Sequence, residues 1–172
     1  SQLGTALSRH LDERFGGGPG PWFIRNHLGF FFLPQRLKEG ELDPIEVQGV
    51  AAEWLKAQPG VGTVVSRDQI KSGWSRAPLA TLHEKSLAPG RGPDLFVEGE
   101  YGCLFSDYPS GTSHGSPHDY DRRVPLVFFG AGVKAGETWS RAETVDIAPT
   151  LAKEMAIPFP ADLDGQALTL AD

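Results

Sequence analysis

The residues best equipped to do chemistry lie in one run, Gly111-Thr112-Ser113-His114-Gly115-Ser116-Pro117-His118-Asp119-Tyr120-Asp121. Three chemistries compete for it. Gly111-Thr112-Ser113-His114-Gly115 matches G-x-S-x-G, where a serine on a strand-to-helix turn acts as nucleophile. That motif needs a helix directly after it and a histidine further downstream. Here Pro117 follows, and no histidine occurs after His118, so a serine hydrolase is the less favoured reading. His114 and His118 are four positions apart, the spacing that turns two imidazoles toward one metal on a helix. Gly115, Ser116 and Pro117 between them oppose a helix, since interior Gly and Pro cost roughly 1 and 3 kcal/mol. The third chemistry is a single metal ligand, His114, on a loop whose small residues let an ion approach a neutral imidazole closely. The plain alternative is a surface histidine in a glycine-rich loop.

Such a loop needs a scaffold, and the sequence predicts one. Leu3, Leu7, Leu11 and Phe15 recur every four residues, predicting a helix over residues 3–15 that Gly16-Gly17-Gly18 stops. Residues 22–24 and 30–33 are short apolar runs that suit a hairpin. Asp43 as cap, Pro44 at the first helical position and Glu46 in a capping-box-like place open a second helix. Val47, Val50, Ala51, Trp54 and Leu55 make its apolar face. Pro59-Gly60 ends it, and residues 61–65 read as a strand returning against the first two. One helical turn is expected over residues 68–73 and a short helix over 79–87. Residues 94–97 and 101–105 read as paired strands around Glu98-Gly99. Residues 106–123 form a long polar loop, of the kind that is usually functional or disordered in compact domains. Residues 125–129 read as a buried strand. A last helix spans 144–156, with Ile147, Leu151 and Met155 on one face and Pro158 and Pro160 after it. The expected fold is a single mixed α/β domain over residues 1–172, with about six strands and three main helices.

Composition narrows the function. With 40% apolar and 22% charged residues, the 172-residue chain has ordinary globular usage. Its net charge of −6 argues against a nucleic-acid polymer as partner, because phosphate contacts need clustered Lys and Arg. No apolar run approaches the roughly 18–20 residues of a membrane span, and no signal-peptide pattern is visible. Cys103 is the single cysteine, so neither an internal disulfide nor a Cys-rich zinc site can form, and burial as a small hydrophobe is expected. His10, His27 and His83 read as structural or exposed, His118 as a packing residue. Trp22, Trp54, Trp74 and Trp139 read as core or interface.

Taken together, Gly111-Thr112-Ser113-His114-Gly115-Ser116, Tyr120-Asp121, Val124-Pro125-Leu126 and Phe129-Gly130 resemble the C-terminal signature of the alkaline phosphatase superfamily. The likeness is greatest to bacterial phosphate-irrepressible phosphatases and nucleotide pyrophosphatase/phosphodiesterases. Thr144-Val145-Asp146-Ile147-Ala148-Pro149-Thr150-Leu151 fits the family's last core helix, and Gly165 its closing turn. The resemblance implies an alkaline-phosphatase-like core over residues 90–172, with residues 1–75 as an α+β segment between metal motifs. It implies two zinc ions that polarise phosphate oxygens and a Ser or Thr nucleophile. Of the ligand positions only His114 maps onto this sequence, with Thr112 and Asp121 as supports of the loop. The nucleophile segment and the Asp-His-Gly ligand segment have no counterpart here, so no catalytic residue is assigned in this chain. The resemblance thus implies the C-terminal portion of a zinc-dependent phosphomonoesterase or phosphodiesterase, inactive alone and completed by an N-terminal part. Its substrate would be a phosphate ester and its location periplasmic or secreted. A non-catalytic α/β assembly module or remnant is the alternative.

Overall fold

The computed structural model describes residues 2–27, 29–73, 80–88, 91–105 and 111–170. They fall into two compact units, Ser1–Arg123 and Val124–Asp172. In the first, the leucine period forms helix α1 (Gln2–Phe15), with Leu7 and Leu11 fully buried. The predicted hairpin is β1 (Phe23–Arg25) antiparallel to β2 (Gly29–Phe32). After a short helix α2 (Pro34–Glu39) comes α3 (Pro44–Lys56). Its cap is Asp43, whose carboxylate accepts the Ile45 N–H at 2.9 Å, and it buries Val47, Ala51 and Leu55. Strand β3 (Val61–Ser66) runs into α4 (Arg67–Lys71), opened by a capping box between Ser66 and Gln69. Helix α5 (Ala80–Lys85) and strand β4 (Leu95–Gly99) complete the layer, and a single helical turn, α6 (Asp119–Arg122), closes the unit.

The sheet order is β1-β2-β4-β3, with every neighbouring pair antiparallel. This corrects two expectations. Strand β3 does not return against the hairpin; it pairs with β4, which inserts between them. Residues 101–105 form no strand, because the chain turns at Gly99: Cys103 N–H closes onto the Glu100 carbonyl at 2.9 Å, and Gly99 pairs with Val61 instead. Among the described residues there are therefore four strands, not six. Cys103 lies on this turn and is exposed, not buried.

Strand alternation sorts the two faces of the sheet. Val64, Leu95 and Val97 join α1 and α3 in the main core with Trp22, Phe30 and Phe32. Val65 and Phe96 point the other way, against Ile70 of α4. Val61 shares a face with Val64, three positions on, because a bulge at Gly62 resets the alternation. Gly29 sits at φ +153°, and a Cβ there would overlap the Leu95 carbonyl oxygen, so β2 and β4 meet only because that side chain is missing. Arg36 of α2 is buried over the Trp22 ring, 4.2 Å from its centroid, and donates to the Gly16 carbonyl at 2.9 Å. On the second face His83 of α5 is buried against Phe96, its Nε2 3.3 Å from the Glu98 carboxylate. Burial lowers the His83 pKa and pushes Glu98 up to about 7.

The second unit is less regular. A 3₁₀ turn (Thr144–Asp146) leads into α7 (Ile147–Glu154), where the last helix was expected. Asp146 joins three segments: its carboxylate accepts the Glu143 and Gln166 amides, each at 2.8 Å. Those two amides, Gln166 foremost, hold its carboxyl below the usual range. The Thr150 hydroxyl donates to the Asp146 carbonyl at 2.6 Å and accepts Leu168 N–H at 2.9 Å. Gly165 passes so close to Val145 that a Cβ would overlap its carbonyl. The expected apolar stripe of the helix is not covered: Leu151 and Met155 are exposed, while Pro149 and Thr150 are buried. Residues 125–129 are the largest departure. They form no strand, and Leu126, Val127 and Phe129 are exposed, because no described residue pairs with their backbone.

Candidate functional site: the His114 loop

The loop that carries the candidate ligand belongs to the first unit. Its first residues, 106–110, lie outside the described set, as do Trp74 and Pro89-Gly90. From Gly111 to Pro117 the chain is irregular, and α6 follows. Gly115, at φ +97°, lets the backbone reverse immediately after His114. Thr112, Ser113 and His114 stand exposed at the outer part of the loop.

Two contacts fix the loop's base. The Asp121 carboxylate accepts the Ser116 N–H at 2.8 Å, closing a five-residue ring just after the histidine. The Ser116 side chain and amide, then the nearby His114 and His118 imidazoles, hold the Asp121 carboxyl below its ordinary range. Asp121 is therefore an anion throughout the neutral range, close to His114. His118 Nε2–H donates to the Gly99 carbonyl at 3.0 Å, which ties the loop to the end of β4. Its ring stacks on Tyr120 and meets Tyr101 edge-on, with centroids 5.5 Å away in both cases. His118 is thus occupied in packing.

This geometry separates the three chemistries. Ser113 Oγ lies 3.5 Å from the His114 carbonyl oxygen, and no helix follows Gly115 directly, so the strand–turn–helix of a nucleophile elbow is not built here. His114 and His118 do not share a helix, so they do not converge as a helical pair. Among the described residues no three His, Cys, Asp or Glu side chains are grouped to hold a metal ion. A tight zinc site takes three or four donors. The donors described here therefore do not make one by themselves, and no chemical step through zinc is derived from this chain. Among the described residues His114 is a lone donor, with a carboxylate nearby that is engaged by the backbone.

Sequence reasoning did not single out the Tyr101–His118–Tyr120 cluster or the His83–Glu98 pair. The first had a faint signal in the aromatic pair spaced two apart, His118 and Tyr120. The second had none, since the two residues are fifteen positions apart and meet only through the placement of β4.

No protein-family model matches the chain. It is similar to alkaline phosphatase PafA of Elizabethkingia meningoseptica, 29% identical over 139 residues, or 81% of this chain and 26% of that protein. A crystal structure of wild-type alkaline phosphatase PafA superposes with a TM-score of 0.85 at 25% identity, covering 98% of this chain and 32% of the solved one. Alkaline phosphatase PhoD of Zymomonas mobilis is 44% identical over 175 aligned positions, covering 95% of this chain and 30% of that protein. A Myroides odoratus protein named a calcium-transporting ATPase is 50% identical over 162 residues, 90% of this chain and 28% of that protein. The chain thus spans between a quarter and a third of the length of the relatives it matches. Among the described residues no helix is long and apolar enough to cross a membrane.

Proposed function

The chain is homologous to the alkaline phosphatase superfamily, and from that premise we propose that it is the C-terminal portion of a zinc-dependent phosphomonoesterase or phosphodiesterase. In this reading residues 1–75 are the α+β segment between metal motifs and residues 90–172 the C-terminal core. His114 is the one metal ligand the chain supplies, and the remaining donors and the nucleophile come from an N-terminal part of the same enzyme. The observation that carries the reading is a mismatch of scale. The chain matches a phosphatase fold over nearly its whole length, yet the described part of its loop offers one exposed imidazole where a zinc site takes three or four donors.

The neighbouring residues then have definite tasks. Asp121 fixes the turn behind His114 through the Ser116 amide and keeps a negative charge close to the imidazole. Thr112, two positions before His114, supports the exposed arm of the loop. The substrate is a phosphate ester, and the location is periplasmic or secreted, as the resemblance implies.

The test is hydrolysis of p-nitrophenyl phosphate with added zinc. The longer gene product turns over and loses both activity and one equivalent of bound zinc on His114→Ala. The 172-residue chain alone shows no turnover. Zinc-dependent turnover by the chain alone, abolished by His114→Ala, would overturn the assignment. A longer product that is inactive, and whose zinc content ignores His114→Ala, would favour the non-catalytic module.

A further inference from the structure

A cleft of about 560 Å³ opens between helix α1 and the turned end of the β1–β2 hairpin, and the proposed function makes no use of it. Its volume is that of a small-molecule site. Periodicity sets its walls. Thr5 and Ser8, three positions apart on α1, bring two hydroxyls to one side of the helix. Phe23 and Arg25, two apart on β1, both line the facing wall, while Ile24 between them does not. His27 follows in the turn, and Phe105, beyond β4, adds a second ring. Part of this frame is held before any ligand arrives. The Phe23 ring stands edge-on to the fully buried Phe30, centroids 4.8 Å apart, and meets Phe32 at 5.9 Å. The Arg25 guanidinium lies 5.9 Å from the Phe30 centroid. Asn26 pins the turn: its N–H donates to the Gly29 carbonyl at 3.1 Å, and its Oδ1 accepts the Gly29 N–H at 3.2 Å. The chain carries a net charge of −6, yet among the described residues no Asp or Glu lines this cleft. A guanidinium, an imidazole and two hydroxyls in one hollow of an acidic protein make a local field that attracts an anion.

We propose that this cleft binds an aromatic phosphate, its flat ring against Phe23 and Phe105 and its phosphate group on Arg25, His27 and the hydroxyls of Thr5 and Ser8. The ring is selected by the two phenylalanines, whose faces and edges complement another aromatic group. The tetrahedral oxyanion is selected by the directions of the donors, which come from a helix, a strand and a turn. Three outward oxygens can meet donors from several sides, where a planar carboxylate presents two in one plane. The planar fork of Arg25 matches a pair of phosphate oxygens. A wall already fixed by Phe30 and the Asn26 turn lowers the ordering cost of binding. None of residues 111–121 lines the cleft, so binding needs no metal, and no bond is made or broken in it. The site goes beyond the proposed hydrolytic function and stands with or without it.

Titration of the nitrogen-15-labelled 172-residue chain with phenylphosphonate, which a phosphatase cannot hydrolyse, tests the proposal by two-dimensional NMR. The amide signals of Thr5, Ser8, Asn26 and His27 should shift together and saturate, with a dissociation constant of about a millimolar or tighter, as about ten heavy atoms allow. Arg25→Gln should weaken binding at least about tenfold by removing a charge-assisted pair, and Phe105→Ala about threefold or more by removing a ring contact. Neither side chain is fully buried, so both variants should unfold near the parent's midpoint. Inorganic phosphate, which lacks the ring, and benzoate, which lacks the third oxygen, should each bind at least about tenfold more weakly. His114→Ala should change none of these constants. The absence of saturable shifts, shifts centred on residues 111–121, or binding unaltered by Arg25→Gln and Phe105→Ala would overturn the proposal. Benzoate binding as tightly as phenylphosphonate, or loss of binding in His114→Ala, would overturn it too. If the expected shifts appear and the longer gene product hydrolyses no phosphate ester, the cleft stands and the phosphatase reading falls.

Discussion

Replacing Glu98 by glutamine should stabilise this protein at alkaline pH. His83 of α5 is buried against the Phe96 ring, and its Nε2 lies 3.3 Å from the half-buried Glu98 carboxylate. Burial disfavours charge on each: the carboxyl rises from an ordinary 4.5 to about 7, and the imidazole falls below its ordinary 6.5. A carboxyl with a raised folded-state pKa binds its proton more tightly folded than unfolded. Stability is therefore lost as pH climbs from about 4.5 to about 7. At about 1.36 kcal/mol per pH unit, that interval has a ceiling of about 3 kcal/mol, and solvent reaching the partly exposed Glu98 carboxyl brings it to about 1–2 kcal/mol. The histidine acts in the opposite sense, since its lowered pKa costs stability as pH falls through 6.5 and below. The amide introduced by Glu98→Gln has the shape of the protonated acid, offers an N–H donor beside His83 Nε2, and never ionises. Urea unfolding followed by circular dichroism at pH 5 and pH 8 is the assay. The variant should nearly match the parent at pH 5 and exceed it by about 1–2 kcal/mol at pH 8. A variant less stable than the parent at pH 8 would refute the reasoning. It would mean that the pair is a true ion pair whose attraction outweighs its desolvation.

Other outcomes follow from the same structure. Leu55→Ala, at a fully buried position of α3, should cost about 2–5 kcal/mol in urea unfolding; a loss under about 1 kcal/mol would mean that α3 is not part of the cooperative core. Gly29→Ala forces a Cβ onto the Leu95 carbonyl at a positive φ, so amide exchange in β2 and β4 should rise together while α1 and α3 change less; unaltered exchange in β4 would contradict the close approach. Zinc titration of the 172-residue chain by calorimetry should give no site of micromolar or better affinity. A one-to-one site of that strength, lost on His114→Ala, would show that the loop is already a metal centre.

What could be read from the sequence was what local spacing decides. The four-residue leucine period of α1, the Asp43-Pro44 start of α3 and the Ser66-to-Lys71 turn all formed near the expected positions, because periodicity and capping act within a few residues. Strand order was not legible. Nothing near Val61 says that Leu95–Gly99, some thirty residues on, will take the place beside it. Residues 125–129 show the same limit from the other side: an apolar run ending Val127-Phe128-Phe129 states a preference for a sheet but cannot supply the neighbour that realises it. For the site, the local sequence conveyed the residue types and the loop. The anchoring of His118 to Gly99 required the end of β4 to be in place first.

The order β1-β2-β4-β3 also bears on how the chain is made. Synthesis delivers the hairpin first, then α3 and β3, yet these cannot join: the strand that lies between them is the last of the four to be translated. Until Gly99 has emerged, β2 and β3 each present an open edge with apolar side chains behind it, on a nascent chain still tethered to the ribosome. Vectorial folding is then held to one late event in which Leu95–Gly99 threads into the gap and satisfies both edges together. A translational pause before that point lengthens the exposure of two unpaired edges, whereas a pause after it does not.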